Sequence, residues 1–273
     1  MAGKLGILAG GGDLPTRLVE VCRASGREVF VLAFEGQTDP ATVRDVEHAW
    51  TRLGLTGTGL DALRAAGVAD LVMVGPISRP SLSALRLDSR SIQFFARVGA
   101  KGLGDDGLLR AIVSALEDEG FRVLGIDDIV ADLLAPAGPY GALEPDPQAR
   151  SDIARGLAVA QALGAVDVGQ AVVVQQGMVL GVEAVEGTDR LLARCGALRR
   201  KGPGGVLVKI KKPQQETRVD LPTIGVRTVD GAAAAGLRGI AVEAGGALLI
   251  DRPAVARAAD AAGLFVVGIQ VSG

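Results

Sequence analysis

The segment "KLGILAGGGDLPTRLVEVCR", Lys4 to Arg23, decides the fold of the first half of the chain. Apolar residues from Leu5 to Ala9 predict a buried strand, glycines follow, and the apolar spacing after Pro15 predicts an amphipathic helix. A strand that ends on glycine and continues as a helix presents backbone N–H groups at the helix N-terminus, which favours a bound anion. Gly10 and Gly12 have the spacing of a dinucleotide fingerprint, but Pro15 stands where its third glycine would be. The segment therefore predicts a phosphate-binding site, but it does not show which phosphate-containing ligand binds there.

Short apolar runs alternate with helical patterns throughout residues 1–132. "REVFVLAFEG" and "LVMVGPISRP" read as strands, and "DDGLLRAIVSALEDEG" reads as a helix. This alternation predicts a parallel sheet covered by helices on both faces, that is, an α/β fold with a Rossmann-like nucleotide-binding domain. Residues 133–148, which contain the proline-rich "LLAPAGPYGALEPDPQ", predict a linker or hinge.

Residues 149–273 show a different pattern. "QAVVVQQGMVLGVEAVEG" predicts two antiparallel strands joined by a turn near Gly177, "VLVKIKK" predicts a strand, and "GIAVEAGGALLI" predicts a hairpin. Helical stretches separate these segments. The second domain is therefore predicted to be α+β with a mixed sheet.

Composition excludes several classes of function. A net charge of −2 over 273 residues argues against a nucleic-acid binder, which needs an excess of Lys and Arg. His48 is the only histidine, which excludes a His-rich zinc site, and we expect it to be partly buried. Cys22 and Cys195 are expected to be small apolar helix residues rather than a disulfide. No apolar run reaches the roughly 18 residues that span a bilayer, so a cytoplasmic protein is expected, with peripheral membrane contact left open.

A second glycine turn, "GPIS" from Gly75 to Ser78, follows another predicted strand. Carboxyl ends of parallel strands share one edge of a sheet, where open α/β folds bind ligands. Glu35 follows the predicted second strand, where a Rossmann domain keeps the acid that binds ribose hydroxyls. A mononucleotide diphosphate fits these features at least as well as NAD, and glycine turns without any ligand are the alternative.

The segment "VLVKIKKPQQETRVDLPTIG" carries the densest group of charges. Alternation along a strand puts Lys209 and Lys211 on one face, and the loop that follows supplies Glu216, Arg218 and Asp220. Cations that neutralise phosphate oxygens, beside a carboxylate that holds Mg²⁺ or water, are suited to pyrophosphate chemistry. A solvated basic edge strand is the alternative.

A third cluster, "GVEAVEGTDRLL", places Glu183, Glu186 and Asp189 around a predicted strand-to-helix turn. Gly187, Thr188 and Asp189 can cap the helix, and Thr188 or Asp189 is expected to do so. The cluster is interpreted either as a cap alone or as a second loop that faces an oxyanion or a metal.

Four motifs together resemble the UDP-2,3-diacylglucosamine pyrophosphatases of lipid A biosynthesis, of the two-domain type without a His/Asp dimetal site. These are "GILAGGGDLP", "GDDGLLR", "QGMVLGVEAVEGTDRLL" and "LVKIKKPQQETRVDLPTIGVRT". The resemblance implies hydrolysis of UDP-2,3-diacylglucosamine to UMP and 2,3-diacylglucosamine 1-phosphate (lipid X) with Mg²⁺. It also implies two domains that close around the substrate and transient contact with the inner membrane. A homodimer is left open.

The resemblance assigns Asp220, in the "DLP" motif, as the catalytic residue and the metal ligand. Relatives often have Gln-Asp-Arg where this chain has Gln215, Glu216 and Thr217. Substrate binding is expected at Gly11, Gly12, Asp13, Gly75, Pro76, Lys101, Gly102, Thr188, Asp189, Lys209, Lys211, Arg218 and Thr223. An NAD(P)-dependent oxidoreductase and a non-catalytic protein that binds a nucleotide sugar or a lipid are the alternative functions.

Overall fold

The computed structural model describes residues 3–78, 87–98, 105–213 and 215–271. These residues form two compact units. Unit 1 holds the described residues up to Ala131 together with Glu216–Asp220. Unit 2 holds the described residues from Asp132 to Gln215 and from Leu221 onward.

Unit 1 alternates strands and helices along the chain. Its elements are β1 (Leu5–Ala9), α1 (Leu14–Ala24), β2 (Val29–Phe34), β3 (His48–Thr51), α2 (Thr56–Ala65), β4 (Asp70–Val74), α3 (Ser89–Val98), α4 (Asp105–Asp118) and β5 (Arg122–Leu124). In the described part of unit 1, five strands form a parallel sheet in the order β3-β2-β1-β4-β5. All five residues of β1 are buried, as expected for the central strand of a sheet covered on both faces. The predicted Rossmann-like domain is confirmed.

Unit 2 combines a mixed sheet with helices. Its elements are β6 (Gly138–Pro139), α5 (Pro147–Ala165), β7 (Ala171–Gln175), β8 (Met178–Val182), α6 (Thr188–Ala197), β9 (Val206–Lys209), β10 (Thr223–Ile224), α7 (Val226–Ala234), β11 (Gly239–Glu243), β12 (Leu248–Leu249), α8 (Arg252–Ala262) and β13 (Phe265–Ile269). Six of the strands described form a sheet in the order β6-β13-β11-β9-β7-β8. β9, β11 and β13 are parallel, whereas β6, β7 and β8 pair antiparallel with their neighbours. The predicted mixed sheet and the antiparallel turn near Gly177 are confirmed.

The hairpin predicted over "GIAVEAGGALLI" is wrong. β11 pairs in parallel with β9 on one edge and with β13 on the other. Because both edges of β11 are occupied, the chain leaves the sheet at the Gly245–Gly246 turn. β12 then pairs in parallel with β10 in a separate small sheet.

Residues 133–148, predicted as a linker, are built into unit 2. Leu134 bridges to Leu248, and β6 pairs with β13. The buried ring of Tyr140 belongs to the apolar core of this unit. The prolines of this stretch therefore shape an edge of the folded unit.

Strand β3 has no counterpart among the predicted strands, and it lies at the edge of the sheet of unit 1. His48 opens it and is exposed, so the prediction of a partly buried histidine is wrong. Cys22 and Cys195 are buried in α1 and α6, as predicted. None of the helices within the described ranges combines the length and the apolar character that crossing a bilayer requires.

Candidate functional site

The two glycine turns of unit 1 meet at the carboxyl edge of its sheet, as predicted. The N–H of Gly10 donates to the carbonyl of Val74 at 2.7 Å, and that of Gly11 donates to the carbonyl of Pro76 at 2.8 Å. They meet because β1 and β4 are parallel neighbours and both strands end there. The strand order reverses between β1 and β4, which is where doubly wound sheets bind ligands.

Gly10 and Gly12 are glycine for different steric reasons. A Cβ atom on Gly10 would lie 2.4 Å from the carbonyl oxygen of Gly75, which leaves no room for a side chain. Gly12 has a φ of +76° and faces open space, since Pro76 Cδ at 3.8 Å is the nearest atom to its Cβ position. Asp13 precedes α1 and makes no side-chain cap, and Pro15 lies in the first turn of this helix. The open side of Gly12 thus adjoins the N-terminus of α1, where N–H groups have no intrahelical partner.

Gln37, which sequence reasoning missed, joins the turn after β2 to the turn after β4. Its side-chain oxygen accepts from the N–H of Ser78 at 2.8 Å. Glu35, considered for ribose binding, instead forms an ion pair with Arg52 at 2.6 Å. A glutamine in an exposed turn carries no periodic signal, so only the spatial meeting of the loops identifies it.

In unit 2, Lys209 lies at the centre of a buried polar cluster. Its ammonium donates to the hydroxyl of Thr188 and to the carbonyl of Thr223, each at 3.0 Å. The hydroxyl of Thr188 donates in turn to Glu183 at 2.6 Å. Glu183 and Lys209 are 6% and 7% exposed, so the hydroxyl links two buried charges of opposite sign. Three predicted substrate-binding residues, Thr188, Lys209 and Thr223, are therefore brought together.

Of the three candidate caps of α6, the structure uses Gly187, so the expectation that Thr188 or Asp189 caps this helix is wrong. Gly187 is the N-cap residue and Thr188 is the first residue of the helix, so the Thr188 hydroxyl contacts Glu183 and Lys209 instead of capping. Asp189 forms an exposed ion pair with Arg227 at 2.9 Å. Glu186 accepts hydrogen bonds from Arg194, which hold the pKa of Glu186 below its ordinary value.

Lys211 does not share a strand with Lys209, because β9 ends at Lys209. The alternation that put both side chains on one face therefore does not apply. The backbone N–H of Lys211 donates to Glu243 at 2.9 Å, and its ammonium lies 3.5 Å from the same carboxylate. The two lysines thus have different carboxylate environments.

The segment Glu216–Asp220 folds on unit 1 as a short turn. Val219 and Asp220 donate their backbone N–H groups to the carbonyl of Glu216 at 3.1 and 3.0 Å. Arg218 forms a forked contact with the carboxylate of Glu216 and reaches Glu117 on α4 at 2.7 Å. The hydrogen bonds from Arg218 hold the pKa of Glu216 below its ordinary value. Glu216, whose role the sequence left open, is thus the partner of Arg218.

Among the described residues, no group of three His, Cys, Asp or Glu side chains is placed to hold a metal ion. Both carboxylate oxygens of Glu216 accept from Arg218. Mg²⁺ in phosphoryl-transfer sites takes one or two protein carboxylates and completes its shell with substrate oxygens and water. Asp220, which the resemblance assigns as the metal ligand, is half-buried at the end of the Glu216–Asp220 turn. Lys101 and Gly102, predicted to bind substrate, lie outside the described residues.

Comparison with known proteins matches both halves of the chain to one family. The LpxI N-terminal domain matches residues 4–133, and the LpxI C-terminal domain matches residues 136–267. The chain belongs to the LpxI family. A curated LpxI from Caulobacter vibrioides, named UDP-2,3-diacylglucosamine pyrophosphatase, is 44% identical over 98% of both chains. The family recognised from the four motifs is confirmed.

Likeness to solved structures is weak by comparison with the LpxI match. The structure titled "Crystal structure of gox2253" has a TM-score of 0.30 and 14% identity, over 90% of this chain and 77% of its own. A biotin carboxylase complex from Campylobacter jejuni has a TM-score of 0.22 and 13% identity, over 72% and 41%.

Proposed function

We propose that the chain hydrolyses the pyrophosphate bond of UDP-2,3-diacylglucosamine in lipid A biosynthesis. One observation carries the proposal: the Caulobacter relative named for this activity aligns with 98% of both chains at 44% identity. Water adds across the P–O–P bond and yields two phosphate monoesters, UMP and 2,3-diacylglucosamine 1-phosphate (lipid X). Since substrate and product carry acyl chains, the proposal includes transient contact with the inner membrane from the cytoplasm.

In this proposal, the glycine turns of unit 1 bind the UDP part of the substrate. Its support is the open side of Gly12 beside the N-terminus of α1, because helix N-termini favour phosphate. A UDP sugar requires a phosphate-binding turn but not the complete dinucleotide-binding fingerprint. Pro15, in place of the third glycine of that fingerprint, is therefore compatible with this ligand. Thr188, Lys209 and Thr223 are the proposed substrate residues of unit 2.

Asp220 is the proposed catalytic residue. Its support is the match of the "DLP" motif and a backbone held by the hydrogen bond to Glu216. Asp220 would hold Mg²⁺ together with substrate oxygens and water, and the ion would stabilise negative charge that develops on the pyrophosphate. Asp220 would thereby hold the ion beside the reacting phosphate.

Release of UMP from UDP-2,3-diacylglucosamine in detergent micelles, with and without Mg²⁺, tests the proposal. Mass spectrometry should find lipid X as the second product. Asp220→Ala and Asp220→Asn should lower kcat by at least ~10³-fold, because Lewis-acid stabilisation contributes several kcal/mol and 1.36 kcal/mol is tenfold. Asp118→Ala, which removes an exposed carboxylate of α4, is the control and should keep its turnover.

Two results would contradict the proposal. Absence of UMP release by the wild-type chain in saturating Mg²⁺ would remove the activity. An Asp220→Ala variant that keeps more than about a tenth of wild-type turnover would remove the catalytic assignment, since the loss would stay below 1.36 kcal/mol.

A further inference from the structure

Arg218 joins the segment Glu216–Asp220 to helix α4. Its Nη1 donates to Glu117 at 2.7 Å, and its Nε and Nη2 donate to the two carboxylate oxygens of Glu216 at 2.8 and 3.0 Å. Glu117 is 101 residues away from Arg218 along the chain. Glu117, Glu216 and Arg218 are termed the clasp below.

We infer that Arg218 is a positioning residue, which orients Asp220 through the clasp, and not a ligand of the substrate phosphates. The inference rests on the proposed function, because it takes Asp220 as the catalytic residue. It concerns what holds that carboxylate in place, and it assigns Glu117 a part in the reaction that no sequence motif indicates.

Charge balance argues against phosphate binding by Arg218. All three of its guanidinium nitrogens already donate to carboxylates. The positive charge of Arg110 also acts on Glu216. Arg218 alone faces two glutamates, so the clasp itself carries no net positive charge for a pyrophosphate.

Backbone geometry connects the clasp to Asp220. The carbonyl of Glu216 accepts hydrogen bonds from the N–H groups of both Val219 and Asp220 and so closes the turn. The side chain of the same Glu216 is bound by Arg218. Val219 packs against the apolar core of unit 1. A change in the position of the Glu216 side chain is therefore transmitted to the Asp220 backbone through one short turn.

Glu117→Gln tests the inference, with Glu119→Gln as its matched control. Both glutamates are at the end of α4 or just beyond it, both pair with an arginine, and both are about equally exposed, at 44% and 36%. Glu119 contacts Arg64, which is not a member of the clasp. Each change removes one charge from one ion pair, so a general loss of surface charge affects both variants alike.

Two readouts are expected to separate the variants. Glu117→Gln should raise hydrogen exchange at the amides of Val219 and Asp220 and lower kcat by about fivefold, the equivalent of about 1 kcal/mol for a half-exposed ion pair. KM should stay within about twofold, because uniform binding is unchanged. Glu119→Gln should match the wild type in exchange at this segment and in kcat.

Arg218→Ala and Arg218→Lys distinguish positioning from ligation. If Arg218 positions Asp220, both variants lower kcat and leave KM near the wild-type value, since lysine cannot fork across a carboxylate. If Arg218 binds phosphate, Arg218→Ala raises KM and Arg218→Lys restores it, and the inference is overturned.

Equal hydrogen exchange at the amides of Val219 and Asp220 in Glu117→Gln and Glu119→Gln would overturn the inference as well. Full turnover by Asp220→Ala would overturn the catalytic assignment of Asp220 and the inference together, whereas an essential Asp220 with unchanged kcat in Glu117→Gln would overturn only the inference.

Discussion

A Cβ atom on Gly75 would lie 2.4 Å from the carbonyl oxygen of Gly11. The turns after β1 and β4 therefore pack backbone against backbone, closer than any side chain permits. The hydrogen bond from the N–H of Gly11 to the carbonyl of Pro76 fixes this approach. The two turns form one surface, so a side chain added at Gly10 or at Gly75 displaces the other turn.

Gly75→Ala is expected to destabilise the protein more than a glycine substitution in open space. Gly75 has a φ of +88°, and its Cβ would also overlap the Gly11 carbonyl. The left-handed conformation costs about 1–2 kcal/mol and overpacking adds about 1–3 kcal/mol. Gly67→Ala, at a φ of +72° with no atom within 4 Å, has only the first cost and is the control. Urea unfolding measures the free energy of unfolding of both variants. Equal losses of stability in Gly75→Ala and Gly67→Ala would contradict the close approach of the two turns.

Gly12→Val is expected to weaken the binding of UMP if the proposed function is right. A side chain on Gly12 enters the open space beside the N-terminus of α1, where we place the phosphate. Gly26→Val is the control, since Gly26 has a similar φ of +73° at the other end of α1 and no atom within 4 Å. Titration calorimetry should show at least tenfold weaker binding for Gly12→Val, about 1.4 kcal/mol, and less than twofold for Gly26→Val. Equal affinities in both variants would place the phosphate elsewhere.

Tyr140 is expected to titrate well above the range of a free tyrosine. Burial raises its pKa to about 12, and its hydroxyl donates to the carbonyl of Pro136 at 2.7 Å. From about pH 10 to pH 12 the folded chain keeps a proton that the unfolded chain releases, so this contribution to stability is complete below pH 10 and falls through that window. Tyr140 is the only tyrosine, so tyrosinate absorbance reports it alone. Tyr140→Phe removes the signal, and a midpoint near 10 in folded protein would contradict the buried environment.

The sequence predicted the fold of unit 1 because its signals are local. Buried strands such as Leu5–Ala9 are continuous apolar runs, and the glycine turns follow them directly. Two neighbouring parallel strands end at the same edge of a sheet, so the strand pattern predicts that the turns after them lie side by side. The hydrogen bond between Gly11 and Pro76 is the contact that results.

Features that depend on distant pairing could not be predicted in the same way. The contact between Glu117 and Arg218 joins residues 101 positions apart, and neither carries a periodic signal. The strand after Gly246 was predicted to fold back on β11, yet only the full sheet shows that both edges of β11 are filled. Thr188 resembled a helix cap because capping residues and buried hydroxyls use the same residue types.

Thr188→Val is expected to destabilise unit 2 and to lower activity, while Thr188→Ser keeps both. Valine has the shape of threonine but lacks the hydroxyl that accepts from Lys209 and donates to Glu183. Both charges are buried, and a buried hydrogen bond to a charged group contributes about 1.5–3 kcal/mol. Urea unfolding should therefore show a loss of about 2 kcal/mol for Thr188→Val and less than about 1 kcal/mol for Thr188→Ser. Turnover of UDP-2,3-diacylglucosamine by the folded variants should fall in the same order. If the valine and serine variants unfold at the same urea concentration, the hydroxyl does not link the two charges, and Lys209 is then held by the Thr223 carbonyl without help from Glu183.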